Sequence, residues 1–165
     1  MFDKFDDITP EFLTSCGIKT LLIDIDNTLA PYEQPEPDER IRAWFDSLSA
    51  AGITSALISN NHADRVELFN RTLGLLAFPD SGKPKTKTLH IAMEKMGSDI
   101  HNTAAIGDQL LTDALGAHSI GIPAFIVPPI KDKKTLFFRF KRWLEVPYIK
   151  KYKKKIEKEE NNNDK

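Results

Sequence analysis

The sequence of 165 residues has little cysteine and no regular pattern of histidine. Its single cysteine, Cys16, excludes an internal disulfide and a metal site made of cysteines alone. Its four histidines are scattered without the spacing of zinc ligands, so we expect no zinc site. Free cysteines are among the most buried residues, and we therefore expect Cys16 to pack near the end of a short helix.

Long apolar runs are also missing. The apolar stretches are short and are interrupted by Asp or Pro, so the sequence predicts no membrane-spanning helix. The first seven residues, MFDKFDD, are acidic and lack the apolar segment of a secretory signal. Together these absences predict a soluble cytoplasmic protein.

The net charge of −1 conceals two parts of opposite sign. Residues 1–130 hold 10 basic and 18 acidic residues, a charge of −8, whereas residues 131–165 hold 13 and 6, a charge of +7. We therefore predict a folded domain over residues 1–130 and a basic extension over residues 131–165, frayed at its end. Such an extension favours an anionic partner, and a solvated helix is the alternative.

Strand-like and helix-like patterns alternate along the acidic part. Short apolar runs predict strands at residues 18–25, 53–59, 75–78, 103–106 and 124–127. Caps and apolar stripes predict helices at residues 9–17, 38–52, 62–72, 84–97 and 109–117. This alternation predicts a three-layer, Rossmann-like α/β domain around a central parallel sheet.

Two acidic residues, Asp24 and Asp26, follow the first predicted strand. Ligands of parallel α/β sheets bind at the carboxyl ends of the strands. Strand alternation places both carboxylates on one side, where their repulsion favours a bound cation or a proton. Mg²⁺ suits such a site because it binds carboxylates and phosphate oxygens. One carboxylate can then attack phosphorus while the other handles the proton of the leaving group.

Two other interpretations of this acidic loop are open on these residues alone. A calcium-binding loop requires Gly at its sixth position and Glu at its twelfth, where this sequence has Leu29 and Pro35. A surface turn with unrelated acids is the second alternative.

Polar groups also follow the next three predicted strands. Residues 59–61, Ser-Asn-Asn, can offer a hydroxyl and amides to phosphate oxygens, although this triplet is also an ordinary loop and helix cap. Lys83 can neutralise phosphate and carboxylates, although most lysines are solvated. Asp108 and Asp113 can bind a metal or cap a helix. The four groups in this order, each at a strand end, are more specific than any one alone.

Taken together, these groups resemble the motifs of phosphatases of the haloacid dehalogenase (HAD) superfamily over roughly residues 18–130. Within it, the sequence is most similar to the capless subclass IIIA branch that includes bacterial relatives of mitochondrial phosphatidylglycerophosphate phosphatase. The matching positions are D-x-D-x-T at Asp24, Asp26 and Thr28, S-N-N at Ser59, Asn60 and Asn61, K-P at Lys83 and Pro84, and G-D-x-x-x-x-D at Gly107, Asp108 and Asp113.

The resemblance implies the role of each acidic residue. Asp24 is implied to be the nucleophile that forms an aspartyl-phosphate, and Asp26 to protonate the leaving group and then to activate water. Asp24, the backbone carbonyl of Asp26, and Asp108 are implied to hold Mg²⁺. Asp113 is implied either to support the metal ligands from behind or to bind the metal through water.

The resemblance also implies roles for four other residues. Ser59 and Asn60 are implied to bind the transferring phosphoryl group, and Lys83 to stabilise its charge. Thr28 is implied to orient the loop that carries the nucleophile. Phosphoryl transfer depends mostly on such positioning and charge neutralisation.

No cap domain fits in the sequence between the motifs. The gaps at residues 28–53 and 61–83 each have room for one helix and short connections. We therefore expect an open site that can admit a large molecule or a headgroup held at a surface.

The extension has the pattern of a basic amphipathic helix, which favours the surface of an anionic membrane. Docking of its apolar face on the domain or on a second subunit is the alternative, and a nucleic-acid partner is not favoured. Its shared apolar face consists of Leu136, Phe137, Phe140, Trp143 and Leu144, and lysines follow at Lys150, Lys151, Lys153, Lys154 and Lys155.

The sequence therefore predicts a Mg²⁺-dependent phosphomonoester hydrolase. The favoured substrate is phosphatidylglycerophosphate, converted to phosphatidylglycerol at the inner face of the membrane. One alternative is a phosphatase of a soluble nucleotide or sugar phosphate. Another is a membrane- or RNA-binding module in which hydrolysis is incidental.

Overall fold

The computed structural model describes residues 1–131. The predicted amphipathic helix lies outside the described residues, and the division of the chain into residues 1–130 and 131–165 stays a prediction.

The described residues are built on one sheet of five parallel strands. The strand order is β3-β2-β1-β4-β5, so β1 lies in the centre and is hydrogen-bonded on both sides. This confirms the predicted Rossmann-like α/β architecture. The strands are β1 (Thr20–Ile23), β2 (Thr54–Ile58), β3 (Leu76–Phe78), β4 (Thr103–Gly107) and β5 (Ala124–Ile126).

Helices cover both faces of the sheet. Strand alternation sends Leu21 and Ile23 of β1 into one apolar cluster, and Leu22 into the other. The helices are α1 (Pro10–Ser15), α2 (Glu39–Ala50), α3 (Ala63–Asn70), α4 (Lys87–Met96) and α5 (Leu115–Ser119).

Helix α2 shows why the sequence folds as predicted here. Asp38 caps it, since its Oδ1 accepts a hydrogen bond from the backbone N of Ile41 at 2.9 Å. The predicted apolar stripe is buried, with Ile41 and Leu48 fully inaccessible. Trp44 in this stripe donates from its Nε1 to the backbone O of Ile8 at 3.0 Å, which ties the N-terminal segment to the helix.

Two predicted helices differ in the structure. Helix α4 begins at Lys87 rather than at Pro84, because the preceding residues form a turn in which the N of Lys85 donates to the O of Gly82. The helix predicted at residues 109–117 is a π-helical turn, Leu110–Ala114, followed by the short α5.

The expectation for Cys16 was wrong, because this residue is exposed. It ends the six-residue helix α1, which buries only Leu13, and the chain then reverses at Gly17 with a φ of 72°. The helix end therefore faces solvent. Of the described helices, none has the length and apolarity needed to cross a membrane.

Candidate active site

The carboxyl ends of three neighbouring strands bring the polar groups of the sequence together. Asp24 directly follows β1, and the register pairs the last residue of β1, Ile23, with Leu57 of β2 and Ile106 of β4. Ser59 and Asp108, just beyond those strands, therefore lie at the same edge of the sheet as Asp24.

Lys83 is the centre of the charged site. Its Nζ donates to Asp24 Oδ1 at 2.7 Å, to Asp113 Oδ1 at 2.6 Å and to the backbone O of Ile58 at 2.7 Å. The three side chains are almost completely buried. Lys83 thus joins groups from the ends of β1 and β2 and from the turn after β4.

Three buried carboxylates converge beside this lysine. Oxygens of Asp24, Asp108 and Asp113 all lie within 4.8 Å of one another. One ammonium cannot balance three carboxylates, and an unbalanced buried charge is costly. This all-oxygen cluster therefore fits a divalent cation.

Burial and charge act in opposite directions on the groups of this cluster. Burial raises the pKa of Asp24 to about 6, against the lowering effect of Lys83, and the negative charge of Asp113 adds to the rise. Burial alone would lower the pKa of Lys83, but the carboxylates of Asp113 and Asp24 outweigh it and raise that pKa. Lys83 therefore stays protonated at neutral pH.

A tight loop after β1 holds the Asp24 carboxylate from the other side. Thr28 Oγ1 donates to Asp24 Oδ2 at 3.1 Å. The loop folds back because the backbone O of Ile25 accepts from the N of Leu29 and the N of Ala30, and Asn27 takes a φ of 66°. Thr28 therefore holds Oδ2 of Asp24, and Lys83 holds Oδ1.

Gly107 makes room for Asp113. A Cβ added at Gly107 would overlap the Cγ and Cβ of Asp113, and would lie 2.5 Å from its Oδ2. The same Oδ2 accepts from the backbone N of Gln109 at 3.1 Å. The glycine of the G-D-x-x-x-x-D pattern is therefore required for space rather than for backbone conformation.

Asp26 points its carboxylate at a different set of groups. Its Oδ2 accepts from Asn61 Nδ2 at 3.1 Å, and its Oδ1 from Arg65 Nη2 at 3.2 Å. Its side chain is not part of the carboxylate cluster found in residues 1–131. The expected metal contact through its backbone carbonyl stays a prediction.

The amide of Asn60 braces the loop that carries Lys83. Its Oδ1 accepts from Lys83 N and Ser81 Oγ, both at 2.7 Å, and its Nδ2 donates to Lys83 O at 3.0 Å. Ser59 is buried, and its Oγ accepts from the N of Asn61 at 3.0 Å. Their expected contacts with a phosphoryl group stay predictions.

Two sequence comparisons relate this chain to known proteins. The HAD-hydrolase-like family model matches residues 81–131. The probable phosphatase YqeG of Bacillus subtilis (strain 168) is 34% identical over 148 residues, which cover 90% of this chain and 86% of that protein.

This chain belongs to the HAD superfamily. Solved structures show the same fold at lower identity. The cobalt-bound deoxy-D-mannose-octulosonate 8-phosphate phosphatase of Haemophilus influenzae has a TM-score of 0.57 at 21% identity, and the match covers 67% of this chain and 68% of that chain. An uncharacterized protein of Listeria monocytogenes serotype 4b has a TM-score of 0.56 at 16% identity, covering 72% and 85%.

The protein is therefore a HAD phosphatase, as the four motifs predicted. Within residues 1–131, the segments between β1 and β2 and between β2 and β3 each contain one helix and no cap domain. The structure brings together Asp24, Thr28, Lys83, Asp108 and Asp113 as one hydrogen-bonded and charged cluster.

Sequence reasoning missed Arg65, which pairs with Asp26 in this HAD phosphatase. Its side chain is only 13% exposed. Arg65 lies on an amphipathic helix, where a lone arginine has the pattern of a surface residue. Its position, four residues after Asn61 at the end of β2, was the only available signal.

Proposed function

We propose that this phosphatase hydrolyses phosphatidylglycerophosphate to phosphatidylglycerol with Mg²⁺ as its cofactor, through an aspartyl-phosphate on Asp24. The buried cluster of Asp24, Asp108 and Asp113 around Lys83 carries the chemical part of this proposal. The basic composition of the sequence 131–155 supports the lipid part.

In the first step, a carboxylate oxygen of Asp24 attacks phosphorus while the bond from phosphorus to the leaving oxygen breaks. Asp26 gives its proton to that oxygen, so the alcohol leaves neutral. The ammonium of Lys83, 2.7 Å from Asp24, offsets negative charge at the reacting group.

In the second step, water attacks the phosphorus of the aspartyl-phosphate. The water proton passes to the carboxylate of Asp26, the bond from phosphorus to Asp24 breaks, and inorganic phosphate leaves. Asp24 returns as a carboxylate and Asp26 as an acid, so the cycle closes without another reactant.

Asp24 and Asp108, with the backbone carbonyl of Asp26, would hold the Mg²⁺, and Asp113 would support it from behind these ligands or through water. When bound, Mg²⁺ supplies positive charge for the phosphate oxygens and offsets the three carboxylates. Hard oxygen ligands without cysteine or histidine favour Mg²⁺ over softer metals.

The last described residues run along the edge that carries the active site. The backbone N of Val127 donates to the O of Gly107 at 3.1 Å, and the N of Ile130 donates to the O of Asn27 at 3.0 Å. Lys131 Nζ lies 3.5 Å from Glu33 Oε2. Lys131, the last described residue, therefore lies beside the loop that follows Asp24. The basic composition of the sequence 131–155 supports the use of an open site at an anionic lipid surface.

The test is phosphate release by the purified full-length protein with Mg²⁺. Phosphatidylglycerophosphate in mixed micelles is compared with nucleotides and sugar phosphates, and the lipid is expected to give the highest kcat/KM. A higher kcat/KM for a nucleotide or sugar phosphate would transfer the proposal to that soluble substrate.

The role of the extension is tested in the full-length chain. Replacement of its lysine run with glutamine is expected to weaken binding to vesicles that contain anionic lipid, while hydrolysis of p-nitrophenyl phosphate stays unchanged. Glutamine at Lys85, Lys87 and Lys95 of the domain is the matched control. Equal vesicle binding by all forms would overturn this part. The replaced run is Lys150, Lys151, Lys153, Lys154 and Lys155.

A further inference from the structure

Asp26 is held by two side chains from the region after β2. Arg65 Nη2 donates to its Oδ1 at 3.2 Å and Asn61 Nδ2 to its Oδ2 at 3.1 Å. The two donors approach different oxygens, so together they restrict rotation of the carboxylate. Asp26 needs this support because it lies beyond the end of β1, with only an isolated bridge to Ala30.

Arg65 is itself fixed by several contacts. Its Nη1 donates to the backbone O of Pro35 at 3.2 Å, and its Cζ lies 5.1 Å from the centroid of the Phe69 ring. Its guanidinium thus spans Asp26 and the proline-containing loop after β1. A planar guanidinium holds its donors on separate nitrogens at fixed positions, so Nη1 and Nη2 can bind two acceptors that lie apart.

One buried atom of Arg65 carries a cost to folding. Its Nε is buried and has no hydrogen-bond partner among residues 1–131. A buried donor without a partner destabilises the folded state. Such costs are often found at functional sites.

Asn61 is fixed in a complementary way. Its Oδ1 accepts from the N of His62 at 2.9 Å, at the start of α3. This bond orients the amide so that its Nδ2 faces Asp26. Both donors to Asp26 are therefore anchored at the beginning of the same helix.

We propose that Arg65 is a positioning residue for phosphoryl transfer, which together with Asn61 aims the carboxyl group of Asp26 at the leaving oxygen. This inference rests on the acid and base role proposed for Asp26. Arg65 neither gives nor takes a proton. Each oxygen of the Asp26 carboxyl group is held by one of these two donors, Oδ1 by Arg65 and Oδ2 by Asn61.

The test compares two substrates with different needs for a proton. The p-nitrophenolate ion leaves readily without a proton, whereas the alkoxide released from benzyl phosphate requires one. The kcat/KM of the full-length enzyme with Mg²⁺ reports the steps up to departure of this group. We expect Arg65→Gln to lower kcat/KM for benzyl phosphate by up to about 10²-fold, and that for p-nitrophenyl phosphate much less.

A structural role for Arg65 would lower both values equally, so equal losses would overturn the inference. Arg65→Lys keeps the positive charge but loses the planar arrangement of donors, so it is expected to recover part of the benzyl phosphate activity. It also allows the comparison to be made if Arg65→Gln does not fold. Arg71→Gln is the matched control, since Arg71 ends the same helix, is 64% exposed and pairs with Glu36 at 3.6 Å. It should match the wild type on both substrates.

Asp26→Asn separates this inference from the proposed function. A selective loss of benzyl phosphate turnover in Asp26→Asn supports the acid role. If Asp26→Asn is selective and Arg65→Gln is not, only the inference about Arg65 fails. If Asp26→Asn itself shows no selectivity, the acid role in the proposed function fails as well.

Discussion

Asp24 combines burial with two fixed hydrogen bonds, from Lys83 and Thr28. Asp24→Asn removes the carboxylate that we propose attacks phosphorus, but keeps the size of the side chain. We expect phosphate release to fall below detection, because the covalent path is closed, while the circular dichroism spectrum stays that of the wild type. Asp46→Asn, on the exposed face of α2, is the matched control and should retain full activity. Measurable turnover by Asp24→Asn would remove Asp24 from the nucleophile role.

Gly107 is important because its lack of a side chain leaves space for Asp113. Gly107→Ala would force Asp113 out of its place, because the new methyl group and the Asp113 side chain would occupy the same space. We expect hydrolysis to fall by about 10²-fold and the Tm gain produced by Mg²⁺ to shrink. Gly97→Ala is the control for a general loss of stability. A Cβ at Gly97 meets nothing within 4 Å, but the φ of 62° is unfavourable for alanine, so this variant should lose stability without damage to the site. Normal Mg²⁺ binding by Gly107→Ala would contradict the steric explanation, in which the methyl group displaces Asp113.

At the scale of elements, the loop with Lys83 depends on the end of β2. Asn60→Ala removes three hydrogen bonds and leaves the backbone N and O of Lys83 without their partner. We expect a loss of about 1–3 kcal/mol in the free energy of unfolding and a larger loss of activity, measured by denaturant titration and phosphate release. Asn102→Ala, which removes bonds within an exposed turn, should cost less. Full activity of Asn60→Ala would show that Lys83 does not need this brace.

The elements that could be predicted from sequence are those with local signals. The strands are short apolar runs, and α2 has both an N-cap at Asp38 and a regular apolar stripe. The turn after β4 departs from the predicted helix, and its distinguishing contact, Asp113 packed on Gly107, is not visible in local periodicity. The predicted burial of Cys16 was wrong because the exposure of this residue depends on whether another element covers the end of α1, which the local sequence does not show.

The site was predictable where the motif residues lie at strand ends, since parallel pairing brings those ends together. Asp24, Ser59 and Asp108 follow this rule. Asn60 is hydrogen-bonded to Ser81 and Lys83, which lie 21 and 23 positions later in the chain. Arg65 contacts Asp26, which lies 39 positions earlier. Neither has a local pattern, so both required the folded arrangement.

At the scale of the whole molecule, metal binding and pH are linked through Asp24. In the metal-free protein its pKa is about 6, against 3.8 for an ordinary Asp. A raised pKa means that the contribution of Asp24 to stability is present below about pH 4 and is lost as the pH rises through 6. Mg²⁺ binds the ionised carboxylate, so we expect its Tm gain to increase over this interval.

The measurement is thermal unfolding with EDTA and with excess Mg²⁺ at pH 5 and at pH 7.5. The Mg²⁺-dependent gain in Tm should be larger at pH 7.5, and activity lost in EDTA should return with Mg²⁺. In Asp24→Asn the difference between the two pH values should be smaller. A gain independent of pH, or full activity in EDTA, would contradict the proposed metal site.

The central place of β1 also distinguishes the two acids that follow it, Asp24 and Asp26. Backbone amides of a strand bonded on both sides exchange with solvent deuterium only when a large part of the domain opens. Asp24 continues this strand, since its N donates to the O of Ile106 at 2.9 Å. Asp26, two residues later, is held mainly by side chains. The proposed nucleophile is thus attached to the central strand of the sheet, whereas the proposed proton carrier lies beyond that strand and depends on Asn61 and Arg65 for its position. We expect the backbone amide of Asp24 to exchange more slowly than that of Asp26.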